Sequence, residues 1–400
     1  MNGVHKSRVV KQMMRIALID FYADGHHTSY LNYLAVGLAR CGANVLILGP
    51  VQPDNSEFTI MHKKISGAKQ LFKLKGARRQ MACLRLSRKA IAEAMEWKAT
   101  HIHFVYADWH LSAIATAWFL ASSSADLALT IHWATGAGVH ANSRWNSMRR
   151  YPHRVALHWL SRRAAHIFVH HDEVARSLHK IITGRYIEVV PYPSEPLPQI
   201  SPEVRDAFRA SLGISNGEVL LFCFGGTRHD KGADLAIECL ARLPAKFHLL
   251  VAGQAVQFHS TDLLSMAISA NVKDRVHLIL RYIQDDEVAV MFQSCDIVLL
   301  PYRKTFSGQS GPLTQGASTG RPIVSADLPV LGSTVREFGL GEVFRAEDAI
   351  SMEFAILTVA GYQLAAKSTN AFINRHAPRQ FATETYRALL CPTRFHCFRK

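Results

Sequence analysis

The chain has 400 residues, more than a single ordinary hydrophobic core contains and enough for two domains of about 150–200 residues each. Hydrophobic residues make up 48% and charged residues 19%, which excludes disordered and fibrous proteins, and no apolar run reaches the ~20 residues that a membrane-spanning helix needs. The seven cysteines are odd in number and contain no Cys-x-x-Cys pair, which argues against a disulfide framework or a structural zinc site and favours a reducing, cytoplasmic environment.

The positive charge is concentrated in the first half of the chain. Residues 1–200 contain 25 lysines and arginines against 12 acidic residues, whereas residues 201–400 contain 21 against 19. The densest stretch, residues 62–89, has ten basic residues, no acidic ones and interleaved apolar side chains, a composition typical of segments that bind anionic membranes. A solvated basic face and a nucleic-acid site are alternatives. Of these three interpretations we adopt membrane binding. We therefore expect a peripheral protein on the inner face of the cell membrane, without a nucleic-acid partner.

Short apolar strands alternate with helical segments from the beginning of the chain. Residues 15–20 form the first predicted strand, followed by a polar turn and a helix over residues 28–40. Gly42 ends that helix, and Asn44 begins the next strand. Further strands are predicted at 101–106, 127–132, 166–170 and 187–190, and helices at 111–121 and 155–163.

A proline-rich segment then interrupts this alternation. Five of the fifteen prolines fall within residues 191–202, a density that neither a central strand nor a helix interior tolerates. Beyond it the pattern resumes, with strands predicted at 219–224, 247–252, 276–280, 297–300 and 322–325.

The alternation predicts the fold class. Strands alternating with helices form parallel sheets covered on both faces, so we predict two doubly wound α/β domains with a ligand cleft between them, at the carboxyl ends of the strands. The predicted units are a first domain, a linker, a second domain and a tail that crosses back to the first domain: residues 1–190, 191–202, 203–375 and 376–400.

One strand-to-helix turn carries residue types that bind a diphosphate. In Phe224-Gly-Gly-Thr-Arg-His-Asp-Lys-Gly232, two glycines allow a ligand to approach the backbone, and Arg228 and Lys231 precede a predicted helix. A helix N-terminus offers free N–H groups and a partial positive charge to an anion. No Walker loop or Gly-x-Gly-x-x-Gly fingerprint is present, which argues against a dinucleotide-dependent oxidoreductase. An ordinary turn with two surface cations is the alternative.

A second turn repeats this arrangement. After the predicted strand at 297–300, a Gly/Ser-rich turn over residues 307–311 precedes a helix predicted to begin near Pro312 and to end at Gly320. Two helix starts that can each bind an anion are more than a generic Rossmann-like domain requires.

These turns and the segments near them resemble a known family. Asp285-Asp286-Glu287-Val288 and Asp296-Ile-Val-Leu-Leu-Pro301-Tyr302 lie between the turns, and Gly320-Arg-Pro-Ile-Val324 follows them. In this order and spacing they look like the C-terminal domain of the family 4 retaining glycosyltransferases, group 1, of the GT-B fold. The resemblance covers the C-terminal half well and the N-terminal half loosely. It implies two Rossmann-like domains facing each other across a cleft.

The resemblance also implies how a donor is bound. A nucleotide-sugar would be the substrate, with no separate cofactor and no metal, and Arg228 and Lys231 would bind its pyrophosphate and act in catalysis. The other implied donor-binding residues are Gly225, Gly226, Ser307, Gly308, Gln309, Ser310, Gly311, Leu313 and Gln315. Many family members carry two glutamates where this chain has Ser307 and Gln315; the uncharged Gln315 can still hydrogen-bond a ribose hydroxyl.

The acceptor side is implied in the N-terminal domain. His132 follows a predicted strand where the family has a histidine beside the reacting sugar, and Gly25, His26, His27 and Asp108 would line the acceptor. The implied reaction is retaining transfer of a sugar to a saccharide or lipid-linked saccharide, in exopolysaccharide or cell-surface glycan synthesis. A non-catalytic module that binds a sugar nucleotide or a nucleic acid is the alternative.

Overall fold

A computed structural model describes residues 13–22, 26–50, 52, 58–68, 71, 74, 76–108, 110–133, 144–306, 308–362 and 364–391. Within these ranges the chain forms two parallel sheets, each with helices on both sides. The prediction of two doubly wound α/β sheets is therefore confirmed.

The first sheet has seven strands in the order β3-β2-β1-β4-β5-β6-β7, and all neighbouring strands are parallel. Its strands are β1 (Arg15–Ile19), β2 (Asn44–Gly49), β3 (Met61–Lys64), β4 (His101–Phe104), β5 (Asp126–Thr130), β6 (His166–Val169) and β7 (Glu188–Val189). The helices in this part of the chain are α1 (His26–Arg40), α2 (Gly76–Glu96), α3 (Leu111–Ala121), α4 (Arg144–Ser161) and α5 (Asp172–His179).

The second sheet has six strands in the order β10-β9-β8-β11-β12-β13, again parallel throughout. Its strands are β8 (Val219–Phe224), β9 (Phe247–Ala252), β10 (Val276–Ile279), β11 (Ile297–Leu300), β12 (Ile323–Ala326) and β13 (Gly341–Phe344). The remaining helices are α6 (Pro202–Ser211), α7 (Ala233–Leu240), α8 (Ser260–Ser269), α9 (Asp285–Ser294), α10 (Gly311–Ser318), α11 (Pro329–Phe338), α12 (Ala349–Val359), α13 (Ala366–His376) and α14 (Pro378–Leu390).

The strand order places the candidate site. In each sheet the chain starts at a central strand, β1 or β8, moves outward to one edge, and then returns to the other side at β4 or β11. Ligands of doubly wound folds bind beyond the carboxyl ends of the strands at such a reversal. The turn after β8 and the turn after β11 are therefore neighbours at one edge of the second sheet.

The basic stretch 62–89 is more structured than the sequence indicated. It contains most of the edge strand β3 and the first two thirds of α2, neither of which the strand pattern had predicted. Leu71, which precedes α2, and Leu86, on the buried side of α2, lie in the core of the N-terminal domain. Of the apolar residues in the stretch, Met81 is exposed. Most of its described apolar side chains thus face inward rather than toward a membrane.

The last helix lies against the first one. An added Cβ on Gly37 of α1 would approach the Cβ of Ala382 of α14 to 2.1 Å, so the two helices cross closely. Phe381 and Leu389 are buried in the core formed by α1 and the first sheet, and the backbone oxygen of Leu389 accepts a hydrogen bond from His101 Nε2 at 3.1 Å. This apolar contact fastens α14 to the N-terminal domain.

Candidate active site

Arg228 lies in the turn between β8 and α7. Gly225 opens the turn with a φ of +114°, a region that glycine enters without the steric cost of a Cβ. The guanidinium of Arg228 donates to both carboxylate oxygens of Asp230, with Nε–Oδ1 at 2.9 Å and a terminal nitrogen to Oδ2 at 2.7 Å. This hydrogen-bonded pairing raises the pKa of Arg228. Asp230 therefore orients a permanently charged guanidinium at the carboxyl edge of the sheet.

Lys231 is held in an aromatic environment. Its ammonium donates to the hydroxyl oxygen of Tyr302 at 2.6 Å and lies 3.9 Å from the centre of the Tyr302 ring and 4.7 Å from that of Phe306. Burial, with a smaller contribution from nearby Arg228, lowers the pKa of Lys231 to about 7. An approaching diphosphate would therefore stabilise the protonated, cationic form of Lys231.

The second turn is joined to the first through the same tyrosine. Tyr302 lies after β11, and its hydroxyl oxygen is 3.1 Å from Oγ of Ser310. Ser310 is the N-cap of α10, where its side chain accepts the N–H of Leu313 at 3.3 Å. The helix start that the sequence analysis singled out is therefore connected to Lys231 by two side-chain hydrogen bonds.

The other predicted donor residues surround this helix start. Gly308, with a φ of +128°, and Gln309 precede the cap, while Gly311 begins α10. Leu313 is buried and Gln315 is half-buried on the helix, and Gly226 follows Gly225 in the first turn. Ser307 lies outside the described residues.

His132 is a buried residue directly beyond β5. Its backbone N–H donates to Asp108 Oδ2 at 3.0 Å, its Nε2 donates to the backbone oxygen of Val105 at 3.0 Å, and its ring stacks on Tyr106 with centroids 4.3 Å apart. Because the carbonyl of Val105 can only accept, Nε2 carries the proton in this arrangement. The imidazole is thereby fixed in one orientation.

Asp108 holds the same turn through its carboxylate. Besides His132, the backbone N–H of Trp133 donates to Asp108, at 2.8 Å from Oδ1. Burial raises the pKa of Asp108 to about 7, although these two N–H groups oppose the shift. A carboxyl predicted to line the acceptor is therefore buried and engaged with backbone.

His27 occupies the same edge of the first sheet. Its Nδ1 lies 3.0 Å from Asp20 Oδ2, and its ring contacts Tyr22 and Tyr106 at centroid distances of 4.8 and 4.4 Å. For His26 the structure describes only the backbone, at the start of α1, and Gly25 lies outside the described residues.

Sequence reasoning missed four residues at the carboxyl edges of the two sheets. Asp20, Tyr106 and Trp133 surround the predicted acceptor residues, and Tyr302 joins the two halves of the predicted donor site. An acid or an aromatic residue directly after a buried strand is the signal that could have found them, since strand ends of a parallel sheet meet at one edge.

The two predicted sites meet across the domain boundary. A Cβ added to Gly308 would lie 3.6 Å from the indole ring of Trp133, so the loop before α10 faces the turn that holds His132. A second contact joins His171, the N-cap of α5, to Ser333 of α11, with Nε2 and Oγ 3.2 Å apart.

Among the described residues, no group of three or more His, Cys, Asp or Glu side chains could hold a metal ion.

Comparison with known proteins identifies the C-terminal domain. Residues 218–361 match the family model described as "Glycosyl transferases group 1". This segment is a group 1 glycosyltransferase domain. It contains Arg228, Lys231, Tyr302 and Ser310, so the resemblance on which the donor-site prediction rests is confirmed.

One curated relative matches about a third of the chain. The lipopolysaccharide core biosynthesis mannosyltransferase LpsB of Rhizobium meliloti (strain 1021) is 27% identical over 154 residues, which make up 36% of this chain and 42% of the relative. The similarity thus spans less than half the length of that enzyme.

Solved structures resemble the whole chain. Sucrose-phosphate synthase from Thermosynechococcus elongatus superposes with a TM-score of 0.73 at 17% identity, covering 94% of this chain and 99% of the other. HepE from Anabaena, solved in complex with UDP, also gives 0.73, at 15% identity, with coverage of 94% and 100%. At these identities the likeness shows the fold, which is GT-B.

Proposed function

We propose that the protein is a glycosyltransferase that moves a sugar from a nucleoside-diphosphate donor to a saccharide or lipid-linked saccharide. One observation carries the proposal: Arg228 and Lys231 lie together in the turn after β8, and the hydroxyl of Tyr302 links Lys231 to Ser310, the cap of the helix after β11. The crystal structures of HepE in complex with UDP and with UDP-glucose support a nucleotide-sugar in a fold of this kind. Cell-surface glycan synthesis is the setting that we propose.

The chemistry follows from the charge on the leaving group. The anomeric carbon loses its bond to a diphosphate oxygen, and negative charge grows on the diphosphate. Arg228, Lys231 and the N–H groups at the start of α10 would stabilise this charge more in the transition state than in the bound substrate. We propose that these groups act in place of a metal ion.

We propose that the configuration is retained because the acceptor attacks the anomeric carbon from the same face of the sugar ring from which the diphosphate departs. The acceptor hydroxyl oxygen bonds to the anomeric carbon, and its proton passes to a diphosphate oxygen. The sequence offers no obvious carboxylate nucleophile, and Ser307 and Gln315 stand where many family members carry the glutamates that contact the donor hexose and ribose. His132, fixed beneath Tyr106, would line the reacting sugar from the acceptor side.

The same substitution favours a second candidate function. Without the glutamate pair, the chain could bind a sugar nucleotide and fail to transfer the sugar. Turnover separates the two candidates, since both predict nucleotide binding and only the transferase releases nucleoside diphosphate.

The test combines calorimetry with a donor panel. We expect UDP, GDP or ADP to bind. With a lipid-diphosphate acceptor present, the corresponding labelled nucleotide-sugar should transfer its sugar to the acceptor and release the nucleoside diphosphate. Arg228→Ala should lower the rate by about 10²-fold or more, by analogy with the loss of an oxyanion donor. Arg281→Ala is a matched control, because Arg281 also pairs with a carboxylate, that of Glu287, on an exposed surface. Full activity in Arg228→Ala would remove the pyrophosphate assignment.

Membrane association is a further part of the proposal. No helix among the described residues is long and apolar enough to cross a bilayer. We propose that the protein binds the anionic inner face of the cell membrane through residues 62–89. Arg85, Arg88 and Lys89 are exposed on α2, and the adjoining α3 adds exposed Phe119 and Leu120. Basic side chains next to exposed apolar ones favour an interface with anionic lipid.

A further inference from the structure

Trp133 lies on the acceptor side and faces the proposed donor loop at Gly308. Three atoms of its indole ring would lie 3.6 Å from a Cβ on Gly308, which is van der Waals distance. Gly308 has a φ of +128° and lies two residues before Ser310, the cap of α10. The indole thus covers the backbone of the turn that would hold the sugar of the donor.

The position of Trp133 is fixed from two directions. Its backbone N–H donates to Asp108 Oδ1 at 2.8 Å, and its indole N–H donates to the hydroxyl of Tyr106. Tyr106 and Asp108 both follow β4, whereas Trp133 follows β5, so the two strand ends clamp the tryptophan. The indole is therefore oriented before any ligand binds.

We propose that Trp133 is a positioning residue that seats the donor loop, residues 308–311, and closes the reacting end of the cleft to water. This inference rests on the proposed glycosyltransfer function. Gly308 supports it from the other domain, because its φ of +128° favours glycine, so that no side chain stands between the indole and the backbone of the donor loop.

The consequence concerns which oxygen attacks the sugar. In transfer, the acceptor hydroxyl oxygen bonds to the anomeric carbon as the diphosphate leaves. In hydrolysis, a water oxygen forms that bond, and the products are the free sugar and the nucleoside diphosphate. A seated indole excludes water from the space beside the donor loop, so its loss should favour hydrolysis.

The first test is spectroscopic and uses whichever of UDP, GDP and ADP, or the corresponding nucleotide-sugars, binds in calorimetry. Binding of the nucleotide-sugar should change the tryptophan emission of the wild-type chain, and Trp133→Phe should abolish that change. Trp97→Phe is the matched control, since Trp97 lies under Arg15 at the amino end of β1, the opposite edge of the sheet. An unchanged emission response in Trp133→Phe would overturn the inference.

The second test measures how turnover is divided between transfer to the acceptor and hydrolysis of the donor. With a lipid-diphosphate acceptor present, Trp133→Ala should raise the ratio of free sugar to transferred sugar by about tenfold or more, and Trp133→Phe should restore most of the wild-type ratio. Melting curves establish whether the alanine variant folds; if it does not, the emission response of Trp133→Phe in the first test decides. An unchanged ratio overturns the role of Trp133 alone, whereas absence of binding and turnover in the wild type overturns the proposed function as well.

Discussion

The ammonium nitrogen of Lys231 lies 2.6 Å from the hydroxyl oxygen of Tyr302. The two residues are 71 positions apart, and each belongs to a different turn of the predicted donor site. The hydroxyl of Tyr302 also contacts Ser310. Movement of Lys231 toward a phosphate would therefore change the hydrogen bonding of the residue that caps α10. The tyrosine thus joins the two anion-binding elements of the domain.

Binding of a nucleoside diphosphate should take up a proton. Burial lowers the pKa of free Lys231 to about 7, and a bound diphosphate would raise that pKa again. Above pH 7 the free lysine is increasingly neutral, so affinity should fall as the pH rises, by at most about tenfold per pH unit. Calorimetry between pH 6.5 and 9, in buffers with different ionisation enthalpies, measures the uptake. Lys231→Arg should remove it, and equal uptake in that variant would contradict the assignment.

Gly232 should tolerate no side chain, for a reason separate from its φ. Its φ of +70° nearly equals the +69° of Gly213, but an added Cβ would lie 1.9 Å from the backbone oxygen of Pro301, whereas Gly213 has nothing within 4 Å. Gly213→Ala should cost about 1–2 kcal/mol of unfolding free energy from the left-handed conformation. Gly232→Ala should cost a further ~1–3 kcal/mol from overpacking. Urea unfolding compares them, and equal losses would contradict the close approach to Pro301.

Asp108 should make stability depend on pH. Its pKa is raised by burial from an ordinary 3.8 to about 7, so across this window the folded chain holds a proton that the unfolded chain has released. The contribution of Asp108 to stability therefore falls as the pH rises from 4 to 7, at up to about 1.4 kcal/mol per pH unit.

Asp108→Asn isolates this contribution from other titrating groups. The asparagine cannot ionise and offers one accepting oxygen in place of two, a loss that is the same at every pH. The difference in unfolding free energy between the wild type and Asp108→Asn should therefore shift in favour of the variant as the pH rises. Urea unfolding at pH 5 and pH 7.5 measures it, and parallel pH profiles would show that Asp108 does not titrate in this range.

Vesicle binding should depend on the charge of α2. We expect flotation with anionic vesicles at low salt and release at high salt, because the Debye length falls to about 3 Å at 1 M salt. Reversing Arg85, Arg88 and Lys89 to glutamate should abolish flotation. The same number of reversals on the C-terminal domain, at exposed Lys246, Lys273 and Arg345, is the matched control. Binding that ignores lipid charge, or that both triple variants lose equally, would contradict the proposed surface.

Local patterns in the chain predicted much of the fold and of the donor site. The strand from Val219 to Phe224 is almost wholly apolar because a central parallel strand is buried on both faces, and this signal can be read without knowledge of its neighbours. The glycines and cations of the next turn, and the capping serine before Pro312, are likewise local signals of a helix start that binds anions. The density of prolines predicted the linker at residues 191–202.

Such local patterns could not predict which side chains meet between neighbouring strand ends. Tyr302 reaches Lys231 because β11 lies beside β8, and Asp108 reaches Trp133 because β5 lies beside β4. Strand order is set by the global packing of helices on both sheet faces, which no local window contains. The same holds for the basic stretch. Leu86 of α2 and Leu71 before that helix are buried in the core, and burial of their apolar surface outweighs the pull of the neighbouring charges toward solvent.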